Sequence, residues 1–420
     1  MRRVYVLLAR LLAPFAFALV LWRGLRDRSY WATLGERFGF GAVCLAESSL
    51  WVHAVSVGEV QASAQLVRAL RTRYPHIPLV FSTMTPTGAA RARSLFGDSV
   101  YHSYAPYDLP GSVRRFFDRV RPRLAVILET ELWPTLYHEC GTRGIPLVLA
   151  SARVSPRSIA RYRLLAGLFR EALSNDIVIA AQSEADAARF RSIGAHPART
   201  HVTGNIKFDF ELPPGLAADG DRLRAQYAGS RPVWIAGSTH AGEEDVVLDA
   251  HASLKALGID ALLILVPRHP NRFDEVASNL KRRGLDFVRR SRAPAAEPAT
   301  RVLLVDTLGE LMTFYAAADV AFVGGSLVPI GGHNLLEPAA LGLPILSGPH
   351  TRNAEGIARL LIEVGAARTV HNAQELSAGI AELLRDPAAR RRAGEHGRAT
   401  IEANRGALER LLALIGPLVG

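Results

Sequence analysis

Short apolar runs recur along the chain, and most are followed by a segment with helical spacing. Leu50–Val55 (LWVHAV), Leu79–Ser82, Leu124–Leu128 (LAVIL), Leu147–Ala150, Ile177–Ala181 and Thr200–Val202 predict strands. Helices are predicted from Val57-Gly58-Glu59 to about Arg73 and over Pro86–Phe96. Glu211–Gly220 (ELPPGLAADG) is rich in Pro, Gly and Ala and reads as a linker. The alternation then restarts. Val233–Ala236, Ala261–Val266, Val302–Val305, Val320–Val323 and Pro344–Leu346 predict strands. Glu243–Ala256, Phe273–Arg283, Leu308–Ala317, Asn353–Val364 and Gln374–Leu384 predict helices, and Ala388–Leu414 is helical and amphipathic. Arg290–Thr300 is of low complexity and is expected to be an exposed loop. Strands alternating with helices of this length mean βαβ units and parallel sheets. The fold class is therefore α/β, with two successive parallel halves and a cleft expected between them. Ligands in such folds sit at the carboxyl ends of strands.

One stretch stands out, Ala321–Pro338 (AFVGGSLVPIGGHNLLEP). A short strand ends in Gly324-Gly325-Ser326, Gly331-Gly332-His333 turns again, and a helix is expected from Asn334. Asn334 suits the N-cap, with Glu337 three residues on as a capping-box variant. Free backbone N–H groups at such a start favour phosphate. A structural cap with no ligand is the plainer reading.

Val4–Trp22 is almost wholly apolar, broken by Arg10 and Pro14, and Arg23, Arg26 and Arg28 follow. No small-residue cleavage site comes after it. An uncleaved signal-anchor or an interfacial helix is expected, with the arginines holding the next domain in the cytoplasm. The expected division is an anchor over 1–28, a first domain over 29–210 and a second over 211–420.

Composition narrows the partners. The 420 residues carry a formal net charge of +11, with a pI near 10.1, which favours an anionic partner. The excess arginine is spread along the chain and no RNA-binding signature appears, so nucleic acid is disfavoured. Cys44 and Cys140 are the only cysteines, which leaves no disulfide framework or CxxC metal spacing. His53, His240, His269 and His333 match no standard zinc spacing and read as non-metal. There is no Walker P-loop and no GxGxxG after the first strand, which disfavours a kinase or a dinucleotide enzyme.

Polar residues fall where the strand-end rule places ligands. Glu59 follows the first strand through Ser56-Val57-Gly58; helix capping and general-base catalysis are both open to it. Glu129 and Glu131 follow another strand in ETELWP. Ser82–Gly88 (STMTPTG) ends a strand with hydroxyls and a glycine, and Tyr104–Pro110 (YAPYDLP) is a proline-framed loop; a plain turn is open to both. Gly237-Ser238-Thr239-His240 and Pro267-Arg268-His269-Pro270 end strands in the second half. Arg268 is forked and permanently charged, suited to phosphate or carboxylate. Lys207 lies in GNIKFD, just before the linker.

Together Ser56–Glu59, STMTPTG, ETELWP, GNIKFD, PRHP and GGSLVPIGGHNLLEP resemble the bacterial 3-deoxy-D-manno-octulosonic acid (Kdo) transferase family, from about Trp31 to beyond Asn353. The resemblance implies two Rossmann-like domains of the glycosyltransferase B fold behind an N-terminal membrane anchor. It implies transfer of Kdo from CMP-Kdo to a phosphorylated, acylated lipid A precursor, with inversion and no cofactor, at the cytoplasmic face of the inner membrane. Glu59 stands where the family's general base lies, and Glu129 and Lys207 where residues assisting the transition state lie. Pro267 and Arg268, Leu308-Gly309-Glu310, and Asn334-Leu335-Leu336-Glu337 match CMP-binding segments. Leu335 replaces another small or apolar residue, and contacts there are expected to be largely backbone. A UDP-sugar transferase or epimerase of the same fold is the nearest alternative. A non-catalytic basic protein on membrane or nucleic acid is the alternative of another class.

Overall fold

The computed structural model describes residues 1–420 except 27, 29–30, 32, 42, 156–157, 160–161, 163–165, 174–176, 293–294 and 298. It divides into two compact units, Met1–Phe210 with Asn404–Gly420, and Glu211–Ala403.

The first unit is built on a seven-stranded parallel sheet. Its strands are β1 (Ser49–His53), β2 (Leu79–Thr83), β3 (Tyr101–Tyr104), β4 (Pro122–Leu128), β5 (Leu147–Ala152), β6 (Ile177–Ala181) and β7 (Thr200–Val202). They lie in the order β3-β2-β1-β4-β5-β6-β7. Alternate residues enter separate cores on the two faces. Leu50, Val52, Leu124 and Val126 enter one, and Trp51, Ala125 and Ile127 the other. Both faces are covered, which is why these strands read as unbroken apolar runs. Each fully buried large side chain contributes about 1.5–3 kcal/mol.

The second unit repeats the plan with β8 (Val233–Thr239), β9 (Leu262–Pro267), β10 (Phe287–Arg289), β11 (Val302–Leu304), β12 (Val320–Val323), β13 (Ile345–Ser347) and β14 (Ala367–Thr369). Their order is β10-β11-β9-β8-β12-β13-β14, all parallel. The strands β3, β10 and β14 were not evident in the sequence. All three are edge strands whose polar residues break any apolar run.

Four expectations change. The linker reading of Glu211–Gly220 fails in its second half, because a helix covers Leu216–Tyr227. Gly220 lies inside it, where a Cβ would come 2.7 Å from the Ala316 backbone, so glycine serves close helix packing there. The helix read from Val57 to Arg73 is two, Val57–Ala62 and Ala64–Arg73, meeting at Ser63. The amphipathic run at the end is also two helices, Pro387–Asn404 and Ala407–Val419, parted at Gly406 with φ +85°. The last helix joins the first unit, not the second as the 211–420 division implied. Asp209 accepts the Gly406 and Leu408 N–H groups at 2.6 and 2.7 Å, and Leu411, Leu412, Ile415 and Val419 enter the first unit's core. The Arg290–Thr300 loop is described only in part.

The N-terminal helix spans Arg2–Arg26 and, by length and composition, is able to cross a membrane. Leu7, Leu8, Leu11 and Phe15 are exposed along it, and the Arg23 and Arg26 side chains lie outside the described residues. Its Tyr5 hydroxyl donates to Asp108 at 2.8 Å.

Candidate active site

In each sheet the strand order reverses between two central strands, β1 and β4 in the first and β8 and β12 in the second. The carboxyl ends of such pairs form the switch point where α/β sheets take ligands. The predicted catalytic residues gather at the first of these.

Ser56, in extended backbone, precedes the helix Val57–Ala62 and sets Glu59 in its first turn. The Glu59 carboxylate accepts the Val55 N–H at 2.7 Å and the Ser56 hydroxyl at 3.0 Å, so it holds the turn as a cap does. Burial nevertheless pushes its carboxyl up to about 7; the Val55 bond opposes this, and the Glu129 and Glu131 charges add to it. A carboxyl near 7 suits proton abstraction at neutral pH.

Glu129 directly follows β4 with φ +58°, a conformation a non-glycine residue adopts only at a cost. Its carboxylate takes Lys207 Nζ at 2.6 Å on one oxygen and Arg153 Nε at 3.0 Å on the other. Burial alone would raise this carboxyl, but Lys207 and Arg153 outweigh it and hold it below the usual range. Asn205 accepts the Lys207 N–H at 3.0 Å and fixes the turn that delivers the lysine. Glu131 accepts Trp133 Nε1–H at 2.6 Å, and burial raises its carboxyl. Arg153 was not singled out in the sequence. It follows β5, where the strand-end rule points, but beyond the apolar run that marked that strand.

The flanking loops hold neighbouring elements in place. Thr85 caps the helix Pro86–Phe96 through the Gly88 N–H at 3.0 Å. Asp108, in YAPYDLP, accepts the Thr135 and Leu136 N–H groups at 3.0 and 2.8 Å as well as the Tyr5 hydroxyl.

At the switch point of the second sheet, a buried carboxylate holds the glycine loop. The wholly buried Glu243 accepts N–H bonds from Gly325, Ser326 and Leu327 at 2.7, 2.9 and 2.8 Å, and from His240 at 3.0 Å. Gly331 and Gly332 donate to the Gly325 carbonyl at 3.1 and 2.7 Å. These amides are therefore engaged within the protein. The next helix is Leu336–Ala340, starting two residues later than predicted. Asn334 is not its N-cap, but its side chain accepts the Leu336 N–H and donates to Glu337, both at 3.0 Å. Leu335 and Leu336 are buried, and burial raises the Glu337 carboxyl, opposed by Asn334 and Arg268.

Pro267 is the buried last residue of β9. Arg268 beside it is exposed, with its charge acting on His240, His269, His333 and Glu337. Leu308-Gly309-Glu310 follows β11, two strands from β8. Gly309 has φ +85°, Leu308 is exposed, and Glu310 pairs with Arg290 at 2.9 Å and with the Thr307 hydroxyl. Among the described residues no group of three or more His, Cys, Asp or Glu is placed to hold a metal ion.

Residues 32–210 match the family profile described as 3-deoxy-D-manno-octulosonic-acid transferase (kdotransferase), and residues 284–400 match glycosyl transferases group 1. The chain is 42 % identical over 419 residues to 3-deoxy-D-manno-octulosonic acid transferase of Haemophilus influenzae, covering 99 % of this chain and 98 % of that one. It is 39 % identical over 435 residues to the protein of the same name from Bordetella pertussis, covering 100 % of each. A UDP-GlcNAc 2-epimerase structure from Neisseria meningitidis aligns at TM-score 0.56 over 87 % of this chain and 99 % of that one. At 13 % identity this shows a shared fold alone.

Proposed function

The chain belongs to the Kdo transferase family and is a glycosyltransferase, and from that premise we propose that it moves Kdo from CMP-Kdo to a lipid A precursor with inversion at the anomeric carbon. The observation carrying the site assignment is the cluster at the first switch point. There Glu59, with its raised carboxyl, shares a charged neighbourhood with Glu129, and Glu129 is clamped by Lys207 and Arg153. An acceptor hydroxyl is a poor nucleophile. Glu59 takes its proton as the new C–O bond forms, a contribution of about 10²–10⁴-fold. Glu129 and Lys207 set the local field during the transfer.

The first domain is assigned to the acceptor and the second to the donor. Arg268, Glu310 and the Asn334–Glu337 segment are the donor-side candidates. Since the amides of Gly325–Leu327 already serve Glu243, side chains rather than that part of the loop carry the phosphate. The exposed apolar helix Arg2–Arg26 is assigned as the membrane anchor, with both domains on the cytoplasmic face. An anchor of this kind supports an acceptor that is itself a membrane lipid.

The test is incubation with CMP-Kdo and tetra-acylated lipid A precursor, followed by mass analysis of the lipid. A product heavier by Kdo, with release of CMP, is expected. No product, or turnover only with a UDP-sugar, would reject the donor assignment.

A further inference from the structure

Three histidines reach the second switch point from three different loops: His240 after β8, His269 after β9 and His333 after β12. His240 Nε2 and His333 Nε2 lie 2.8 Å apart, with the ring planes within 8° and the centroids 5.0 Å apart. The rings thus meet edge to edge through one shared proton. His269 stands nearly perpendicular to His240, centroids 5.1 Å apart. The pair needs Gly325 beneath it: a Cβ there would lie 2.9 Å from the His333 ring, and the φ of +68° also favours glycine. Among the described residues, neither paired ring has a protein partner on Nδ1.

Resting on the donor reading above, we infer that His240, His269 and His333, together with Arg268, form a proton-coupled receptor for the nucleotide's phosphate. An imidazole that is neutral in the empty site takes up a proton when the anion arrives.

The surroundings support this. Facing these rings are the cations Arg268 and Arg272 and the carboxylate of Glu243. Glu243 is committed to four backbone N–H groups, and Arg272 is paired with Glu244 at 2.5 Å. Burial and Arg268 together bring His333 down to about 4, and burial also lowers His240 and His269, aided by Arg268. A second cation is therefore unfavourable beside Arg268 until an anion offsets it. In the paired rings the Nε2 contact already uses one proton. The added proton goes to a free Nδ1 and turns an acceptor into a charged donor.

The consequence for transfer follows from charge. The bond from the anomeric carbon to the phosphate oxygen breaks, and its electron pair stays on that oxygen. The acceptor hydroxyl's proton goes to Glu59, and solvent supplies the imidazole's proton. A phosphodiester with one charge thus becomes a phosphomonoester carrying about −1.5 to −2. A receptor that gains charge as its ligand does favours the separating state over the bound donor.

The test is calorimetric titration of CMP into the full-length, detergent-solubilised protein at pH 7.5, in buffers of different ionisation enthalpy. Uptake of roughly one proton per CMP is expected. The CMP Kd should rise by up to about tenfold per pH unit from 7 to 8.5, since proton and anion affinities are reciprocal. Cytidine should show neither effect. In His240→Gln and His333→Gln the uptake should fall and the pH dependence flatten. CMP binding without proton uptake, or uptake unchanged in both variants, would overturn the inference and leave the donor reading standing. Failure of the folded, unaltered protein to bind CMP would reject the donor reading itself. If a histidine variant does not fold, the proton count of the unaltered protein decides.

Discussion

The Lys207 ammonium lies 2.6 Å from Glu129 Oε1, joining the turn after β7 to the end of β4. Because Glu129 also holds Arg153 and bears on Glu59, this contact ties the field at the proposed base to two distant cations.

Replacing Lys207 by Met should therefore lower transfer by about 10²-fold or more, at the scale of lost electrostatic stabilisation. Glu129→Gln should in addition shift the acid limb of kcat/KM to lower pH, because one negative neighbour of Glu59 is gone. Rate measurements from pH 5 to 9 check both, and an unmoved limb would separate Glu129 from Glu59.

Glu59→Gln should abolish most turnover, about 10²–10⁴-fold, while leaving CMP binding intact. Unaltered protein should lose activity as pH falls through about 7, where Glu59 becomes protonated. Stability should move the opposite way. The folded carboxyl sits above its ordinary 4.5, so its favourable contribution is full below 4.5 and is lost as pH rises through about 7. Thermal unfolding should accordingly show the Gln variant gaining on the unaltered protein at pH 8, with the gap closing towards pH 4.5.

Arg268→Ala should weaken CMP-Kdo binding with little effect on folding, since the side chain is exposed. Donor titration on a variant with unchanged circular dichroism decides this. An unaltered donor affinity would remove Arg268 from the donor site.

Glu243→Ala leaves the Gly325, Ser326 and Leu327 amides without their acceptor in a buried setting. A loss of about 3–5 kcal/mol is expected, in line with removing one partner of a buried charged contact. Denaturant unfolding measures it.

Much of this architecture was open to sequence reasoning because burial writes itself locally. LAVIL at 124–128 read as a covered strand, and a carboxylate at Glu129 directly after it was a poor candidate for core. What stayed hidden depends on distance along the chain. Glu243 meets Gly325 across 82 residues, and no local pattern announces that pairing. The turns of the glycine loop were legible, but not the buried carboxylate that its Gly325, Ser326 and Leu327 amides serve. Gly220 misled for a related reason: its composition suggested a linker, whereas close approach to Ala316 required a residue without a side chain. The histidines were visible singly, but only the sheet order brings the ends of β8, β9 and β12 together.

The helix Ala407–Val419 gives the chain an unusual order of assembly. During synthesis the whole of Glu211–Ala403 emerges from the ribosome before the segment that completes the Met1–Phe210 body. Vectorial folding normally favours the leading domain. Here the surface under Leu411 and Ile415 stays uncovered until the last helix emerges, so that body is expected to be completed after the trailing one can close. Limited proteolysis of stalled nascent chains should find the middle of the protein protected first.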